Sequence, residues 1–296
     1  MKLRHIIFAA SALMLSWTVK AQESVPATEV FQFLSFPRSI ASVGMAGAGS
    51  IGCVFENPAA LPVNLDKAEF MAMYSHTVSN NFGGGAALRL GKGFALSASV
   101  FDQAHPVKDF GVGYTPFAPN DLIMGFGAGA SFGEHISVGV SARIVKQQVM
   151  ADYSLSSTAF TVMLQYRLSG LSIAAGIANF GSGVKSETEQ VSPLPTSAHG
   201  AASYEFYIGS SSIAAAIDAD YYFSGKFGIS AGAQYSFRNM IYARAGYRYA
   251  TAGAAFPSHL AFGLGYRWKF LCLDISYLTA NAQLANSIGA GVSLHF

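Results

Sequence analysis

The sequence predicts an all-β fold: a transmembrane antiparallel β-barrel of about fourteen strands, preceded by an N-terminal plug or hatch segment. Three observations predict it. The chain is 51% hydrophobic and only 11% charged, against roughly 25% charged in ordinary soluble domains, so something other than water must cover much of its surface. No stretch after the first twenty residues approaches the ~20 consecutive apolar residues of a spanning helix. A closed sheet is the remaining way to cross a bilayer, because every backbone N–H and C=O must then find its partner inside the protein. Finally, apolar residues recur with a period of two, and the connections between the repeating segments sort into a short set and a longer set.

The period is clearest at Leu260, Phe262, Leu264, Tyr266 and Trp268, which alternate with Ala261, Gly263, Gly265, Arg267 and Lys269. It recurs at Ile229 to Phe237 and at Ile136 to Ile144. Carried through the chain, it places strands at 68–76, 82–91, 93–102, 122–132, 135–147, 155–167 and 170–180, then at 198–208, 211–223, 226–237, 240–250, 258–269, 271–279 and 286–296. An even count puts both ends of the barrel on one side, the periplasmic side in such proteins. On that side the connections are tight, as at Gly91-Lys92-Gly93, Gly133-Glu134, Ser169-Gly170, Arg238-Asn239 and Phe270. The opposite set, at 103–121, 148–154, 181–197, 251–257 and 280–285, is longer, with Ser224-Gly225 as the exception. Pro106, Pro116, Pro119, Pro193, Pro195 and Pro257 all fall in the longer set, where no ladder hydrogen bond is lost. Tyr166, Tyr235, Tyr247, Tyr249, Tyr266 and Tyr277 sit near strand ends and are candidates for interfacial aromatic girdles.

Residues 1–21 read as an export signal: Lys2 and Arg4, an apolar run from Ile6 to Trp17, and a cleavage site at Val19-Lys20-Ala21. A retained N-terminal anchor is the alternative. The expected division is signal peptide 1–21, plug or hatch 22–65 and barrel 66–296, with the bacterial outer membrane as the location. The last strand ends Ile288, Ala290, Val292, Leu294, Phe296, an apolar face closing on a C-terminal aromatic like the signal read by outer-membrane assembly machinery.

Pointing the apolar partners outward sends Arg89, Arg143, Arg167, Glu205, Asp218, Asp220, Arg244, Arg248, Arg267 and Asp274 into the lumen. An arginine on the lipid face would cost about 2–4 kcal/mol at the midplane. Inside, these groups are open to two readings: a charged pore or docking surface for an inserted plug, or an ion-paired filling that stiffens the wall. Asp218 and Asp220 share a strand face and could do acid–base work, but nearby arginines favour ion pairing. The seven histidines show no metal spacing, and no nucleophile elbow, phosphate loop or Cys-x-x-Cys is present. No enzyme activity, cofactor or metal is expected. A net charge of +2 gives no reason to expect nucleic acid. Cys272 faces inward and Cys53 lies in the segment before the barrel, so a disulfide between them is one option.

Three blocks precede the first strand: Phe31-Gln32-Phe33-Leu34-Ser35-Phe36-Pro37-Arg38-Ser39, Ser42-Val43-Gly44-Met45-Ala46-Gly47-Ala48-Gly49, and Glu56-Asn57-Pro58-Ala59-Ala60-Leu61-Pro62. Glycine and alanine allow close backbone approach and Asn57-Pro58 favours a turn, which suits a compact hatch inside the barrel; a surface-lying periplasmic tail is the alternative. In order and spacing the blocks resemble the N-terminal region of the PorV/PorQ family, relatives of the FadL-type barrels. The resemblance implies that Gly44, Met45, Gly47, Asn57, Pro58 and Ala59 seat the hatch. It also implies a non-enzymatic component or anchor of the type IX secretion system of Bacteroidetes-type bacteria, with attachment-complex proteins or secreted cargo as partners besides outer-membrane lipid. The alternative is a FadL-like transporter for hydrophobic small molecules, with Phe110, Phe117 and Met124 as candidates for its apolar groove.

Overall fold

The computed structural model describes residues 29–77, 79–109, 116–150, 153–185, 191–279 and 286–296. The export signal, Phe110 and the 280–285 connection lie outside the described residues. The first seven strands are β1 (Ala68–His76), β2 (Asn80–Arg89), β3 (Phe94–Ala104), β4 (Asn120–Phe132), β5 (Ile136–Met150), β6 (Tyr153–Leu168) and β7 (Leu171–Gly181). A two-stranded ribbon follows, β8 (Val184–Lys185) with β9 (Val191–Ser192). The remaining seven are β10 (Ser197–Ile208), β11 (Ser211–Tyr222), β12 (Phe227–Phe237), β13 (Ile241–Ala250), β14 (His259–Trp268), β15 (Leu271–Leu278) and β16 (Ser287–His295). Fourteen of the sixteen form one closed antiparallel barrel in which each strand pairs with its sequence neighbours, β7 pairs with β10, and β1 closes on β16 from Glu69↔His295 to His76↔Ile288. All fourteen were predicted in order. The ribbon was not: two-residue strands carry no readable period.

At the end of the barrel that holds both its termini, the connections are short, at 90–93, 133–135, 169–170, 209–210, 238–240 and 269–270. Ser169 and Gly170 at φ 45° and 86° show how the two-residue turn is made: paired left-handed residues match the twist of the flanking strands. The opposite, far end carries the longer connections 105–119, 182–196, 251–258 and 279–286, although 77–79 and 223–226 are short.

The alternation settles which face each side chain takes. Leu260, Phe262, Leu264, Tyr266 and Trp268 are exposed on the outer wall while Ala261 and His259 are buried. Aromatic side chains crowd both outer rims, among them Phe132, Tyr166, Tyr266, Trp268 and Phe270 at the terminal end and Tyr74, Phe82, Tyr221, Tyr249 and Tyr277 at the far end. Such an apolar wall between two aromatic belts is stable only against lipid. Among the described residues no helix is long and apolar enough to cross a membrane; the strands are what can cross it.

Burial is concentrated in the lumen, where residues 29–67 run from the far end to the terminal end. At the far end Val30 N–H donates to Pro193 O (3.0 Å) and Glu29 pairs with Lys226 (3.1 Å). At the terminal end Lys67 N–H donates to Phe296 O (2.8 Å). Between these points Phe31, Phe33 and Leu34 pack on Ile123, Val145 and Ala159. Val54, Phe55, Leu61 and Leu65 pack on Ala87 and Ala95, and Ile51 and Ala59 on Met163, Ala174 and Ala201.

Candidate functional site: the filled lumen and its cavities

The lumenal segment fits the wall because the wall has glycines where it approaches. A Cβ on Gly139 would collide with the Pro58 carbonyl carbon and Ala59 N, and one on Gly246 with the Met45 backbone. Gly44 lies against Gly263, where an added Cβ would come within 2.9 Å of its Cα. Gly47 has φ +85°, a left-handed conformation that lets the chain reverse beside Phe256 and Ser230.

Asn57 is buried and does two jobs. Its Oδ1 accepts from Ala59 N–H (3.0 Å), capping the single turn Pro58–Ala60, and its Nδ2 donates to Gln165 Oε1 on β6 (2.7 Å). Ser137 Oγ on β5 then donates to Ala59 O (2.7 Å). Gly44, Met45, Gly47, Asn57, Pro58 and Ala59 thus all lie at contacts between the segment and the wall.

The inward charges divide between holding the segment and holding one another. Asp218 accepts from Gly49 N–H (2.8 Å) and Ser50 N–H (3.2 Å). Arg167 donates to Val63 O and Arg89 to Leu65 O, each at 3.1 Å. Asp220 pairs with Arg248 (3.1 Å) and with His199 (2.7 Å), and His199 also bonds Ser50 Oγ (3.0 Å). Arg244 pairs with Asp274 (2.5 Å) and donates to Gln234 (2.6 Å). Arg143 donates to Asn179 Oδ1 (2.8 Å), and Asn179 is the left-handed residue (φ 57°) of a bulge in β7 opposite Thr161. Arg267 and Glu205 face the terminal-end cavity. The lumen charges therefore serve both as a docking surface for the segment and as ion-paired filling.

One option falls away and one candidate is corrected. Cys53 and Cys272 are both free thiols, so the optional disulfide is absent; both line the terminal-end cavity. Met124, offered as part of an apolar groove, is 40% exposed on the outer wall. Its parity in β4 is that of Phe126, and period two sends both to the lipid side. Phe117 bridges to Lys108 in the far-end connection.

The structure also brings in residues that sequence reading passed over. Arg38 and Glu56 are buried in the segment, with Arg38 N–H and Ser42 Oγ donating to the Glu56 carboxylate. Burial pushes the Glu56 carboxyl above its ordinary value and lowers the Arg38 guanidinium to about 10. Each stood in the sequence as a lone charge within one of the three N-terminal blocks, with nothing local to pair the two.

Three cavities surround the segment among the described residues. One of about 90 Å³ at the far end is walled by Phe33, Phe36, Met73, Phe101, Ile123 and Phe256. A polar one, also about 90 Å³, lies behind Phe36 and Arg38 and is lined by Arg143, His199, Asp218 and Asp220. A third, of about 600 Å³, opens toward the terminal end between Glu69, Arg244, Arg267, Asp274 and His295. From far end to terminal end the cavities thus change from mainly apolar to mixed and charge-bearing, and the segment lies across the change.

Fold and lumen define a class: closed fourteen-stranded membrane β-barrels whose own N-terminal segment occupies the pore. No protein-family model and no curated protein matches the chain. Solved structures do share its fold. The P. putida toluene transporter TodX is 14% identical, with 87% of this chain and 98% of that one covered at a TM-score of 0.61. The CymD monoaromatic hydrocarbon channel is 17% identical, with 86% and 97% covered at 0.63. A Pseudomonas aeruginosa FadL homologue is 12% identical, with 88% and 98% covered at 0.51. At these identities the likeness concerns the fold: that of FadL-type outer-membrane barrels.

Proposed function

We propose that the protein is an outer-membrane conduit for small hydrophobic molecules, with the far end facing outward, the terminal end facing the periplasm, and residues 29–67 acting as its hatch. One observation carries this reading: a cavity with a mainly apolar, aromatic-rich wall sits unfilled at the far end of the lumen. A wall needs no such cavity for stability, since unfilled apolar space forfeits packing. Structures of the same fold described as a toluene transporter and a monoaromatic hydrocarbon channel support the assignment.

The reading as a type IX secretion component rests on the motifs at residues 31–62. Most of those residues are buried against the inner wall and so are not presented to a partner, which weighs toward the conduit. The test is uptake of labelled toluene by cells carrying the protein against cells lacking it, with Ile123→Trp to fill the cavity. The conduit reading expects faster uptake that Ile123→Trp abolishes while the barrel still resists unfolding in detergent on unheated gels. Uptake equal to that of cells lacking the protein would refute it.

A further inference from the structure

The far-end cavity is not purely apolar. Asp121, on the inner face of β4 and 3% exposed, lines it beside Phe101 and Ile123. Its Oδ2 is engaged by His105 Nε2 at 2.7 Å, and His105 Nδ1 is in turn bonded to Ser79 Oγ at 2.8 Å. When the Ser79 hydroxyl donates to Nδ1, Nε2–H is the donor to the carboxylate. Oδ1, however, is closed off from solvent and has no hydrogen-bond partner. A buried carboxylate oxygen without a donor is costly, and a cavity bordered by one invites a donor.

Two further charged groups border the cavity: Asp102, whose Oδ1 accepts from Asn120 Nδ2 (2.7 Å), and Arg38, stacked over Phe101 at 5.4 Å from the ring centroid, with one N–H given to Leu34 O. A ligand carrying a carboxylate would meet Asp121, and one carrying an ammonium would meet Arg38. A neutral hydroxyl satisfies Oδ1 without adding a charge. The cavity volume, about 90 Å³, is below the ~150 Å³ of a cavity that holds benzene, so a single ring is the most it takes, with the walls giving slightly, and a long chain is excluded.

From this we infer that the site selects a monoaromatic molecule bearing one neutral hydrogen-bond donor, a phenol. Its ring lies among Phe33, Phe36, Phe101 and Phe256, and its hydroxyl donates to Asp121 Oδ1. The inference rests on the conduit reading and narrows its substrate class.

The test is calorimetric titration of the full-length protein in detergent with p-cresol, toluene and p-toluate, which share one ring and one methyl group. A charge-assisted hydrogen bond predicts p-cresol binding about tenfold or more tighter than toluene, with p-toluate weakest. Asp121→Asn is expected to bring the ratio of cresol to toluene affinity most of the way to one, so that the ratio, and not either affinity alone, reports the hydrogen bond. Equal affinity for cresol and toluene, a preference for toluate, or an Asp121→Asn variant that keeps the cresol advantage would each overturn the inference and leave the conduit standing. Failure of all three ligands to bind the unmodified protein would overturn both.

Discussion

Replacing Asn57 by alanine separates the seating of the lumenal segment from the integrity of the barrel. The substitution removes the cap on Ala59 N–H, a loss of about 1 kcal/mol. It also removes the Nδ2 donor from Gln165 Oε1. Gln165 is 1% exposed and its Nε2 already lacks a partner, so the variant leaves the whole amide group unsatisfied, at about 1–3 kcal/mol. The sum, about 2–4 kcal/mol, shifts the equilibrium between seated and released segment by about thirtyfold to several hundredfold. Nothing in the strand ladder changes, because Asn57 bonds a wall side chain and not a strand backbone. Amide hydrogen exchange followed by mass spectrometry reads the two parts independently. Peptides spanning 45–66 should exchange faster by that factor, and peptides from β5, β6 and β12 should keep their protection. Unchanged exchange in 45–66, or equal loss of protection in the strands, would refute the reasoning that Asn57 fastens a separable element.

Further predictions follow from charge and from lipid exposure. Burial raises the Glu56 carboxyl, so the seated state holds more protons than the released one between the ordinary and the raised value; seating therefore weakens as pH rises through that window. Glu56→Gln should slow exchange of 45–66 at neutral pH, with the advantage shrinking as the solution is acidified into the carboxylate range. Leu264→Arg places a cation mid-strand on the lipid face and should cost about 2–4 kcal/mol in folding into bilayers, whereas Trp268→Arg at the rim should cost about 0–1 kcal/mol in the same titration. Arg244→Ala leaves Asp274 unpaired beside the 600 Å³ cavity. Because that cavity admits water, the cost in denaturant titration should be about 1–3 kcal/mol, below the ~3–5 kcal/mol of a dry buried pair, and Asp274→Ala in the same chain should restore part of it.

The barrel was legible in the sequence because it depends on short-range regularity: Leu260 to Trp268 declare their face by alternation, and Ser169-Gly170 declares its turn by residue type. The count of strands followed from the same periodicity. The fit of the segment into the lumen was not legible to that degree. Gly139 shows as a small inward residue in the sequence, but that it receives the Pro58 carbonyl depends on a pairing across some eighty positions. Asp218 was singled out for its charge, while its use, accepting two N–H groups from the turn at Gly49, requires knowing that this turn sits opposite β11. His199 escaped notice because an isolated histidine on a strand carries no local pattern, and Asp121 because the period was read as starting at 122, which left it in the preceding connection, whereas β4 begins at Asn120. Met124 was misplaced although its parity with Phe126 marked it as outward.

A conduit for small hydrophobic molecules requires that a hydrophobic ring enter the cavity between the lumenal segment and the wall near Phe36 and Phe101. Anomalous diffraction from crystals exposed to bromobenzene locates the halogen directly. A bromine peak is expected within van der Waals distance of Phe36, Phe101 and Ile123; bromine found only on the outer wall or in the terminal-end cavity would contradict the conduit.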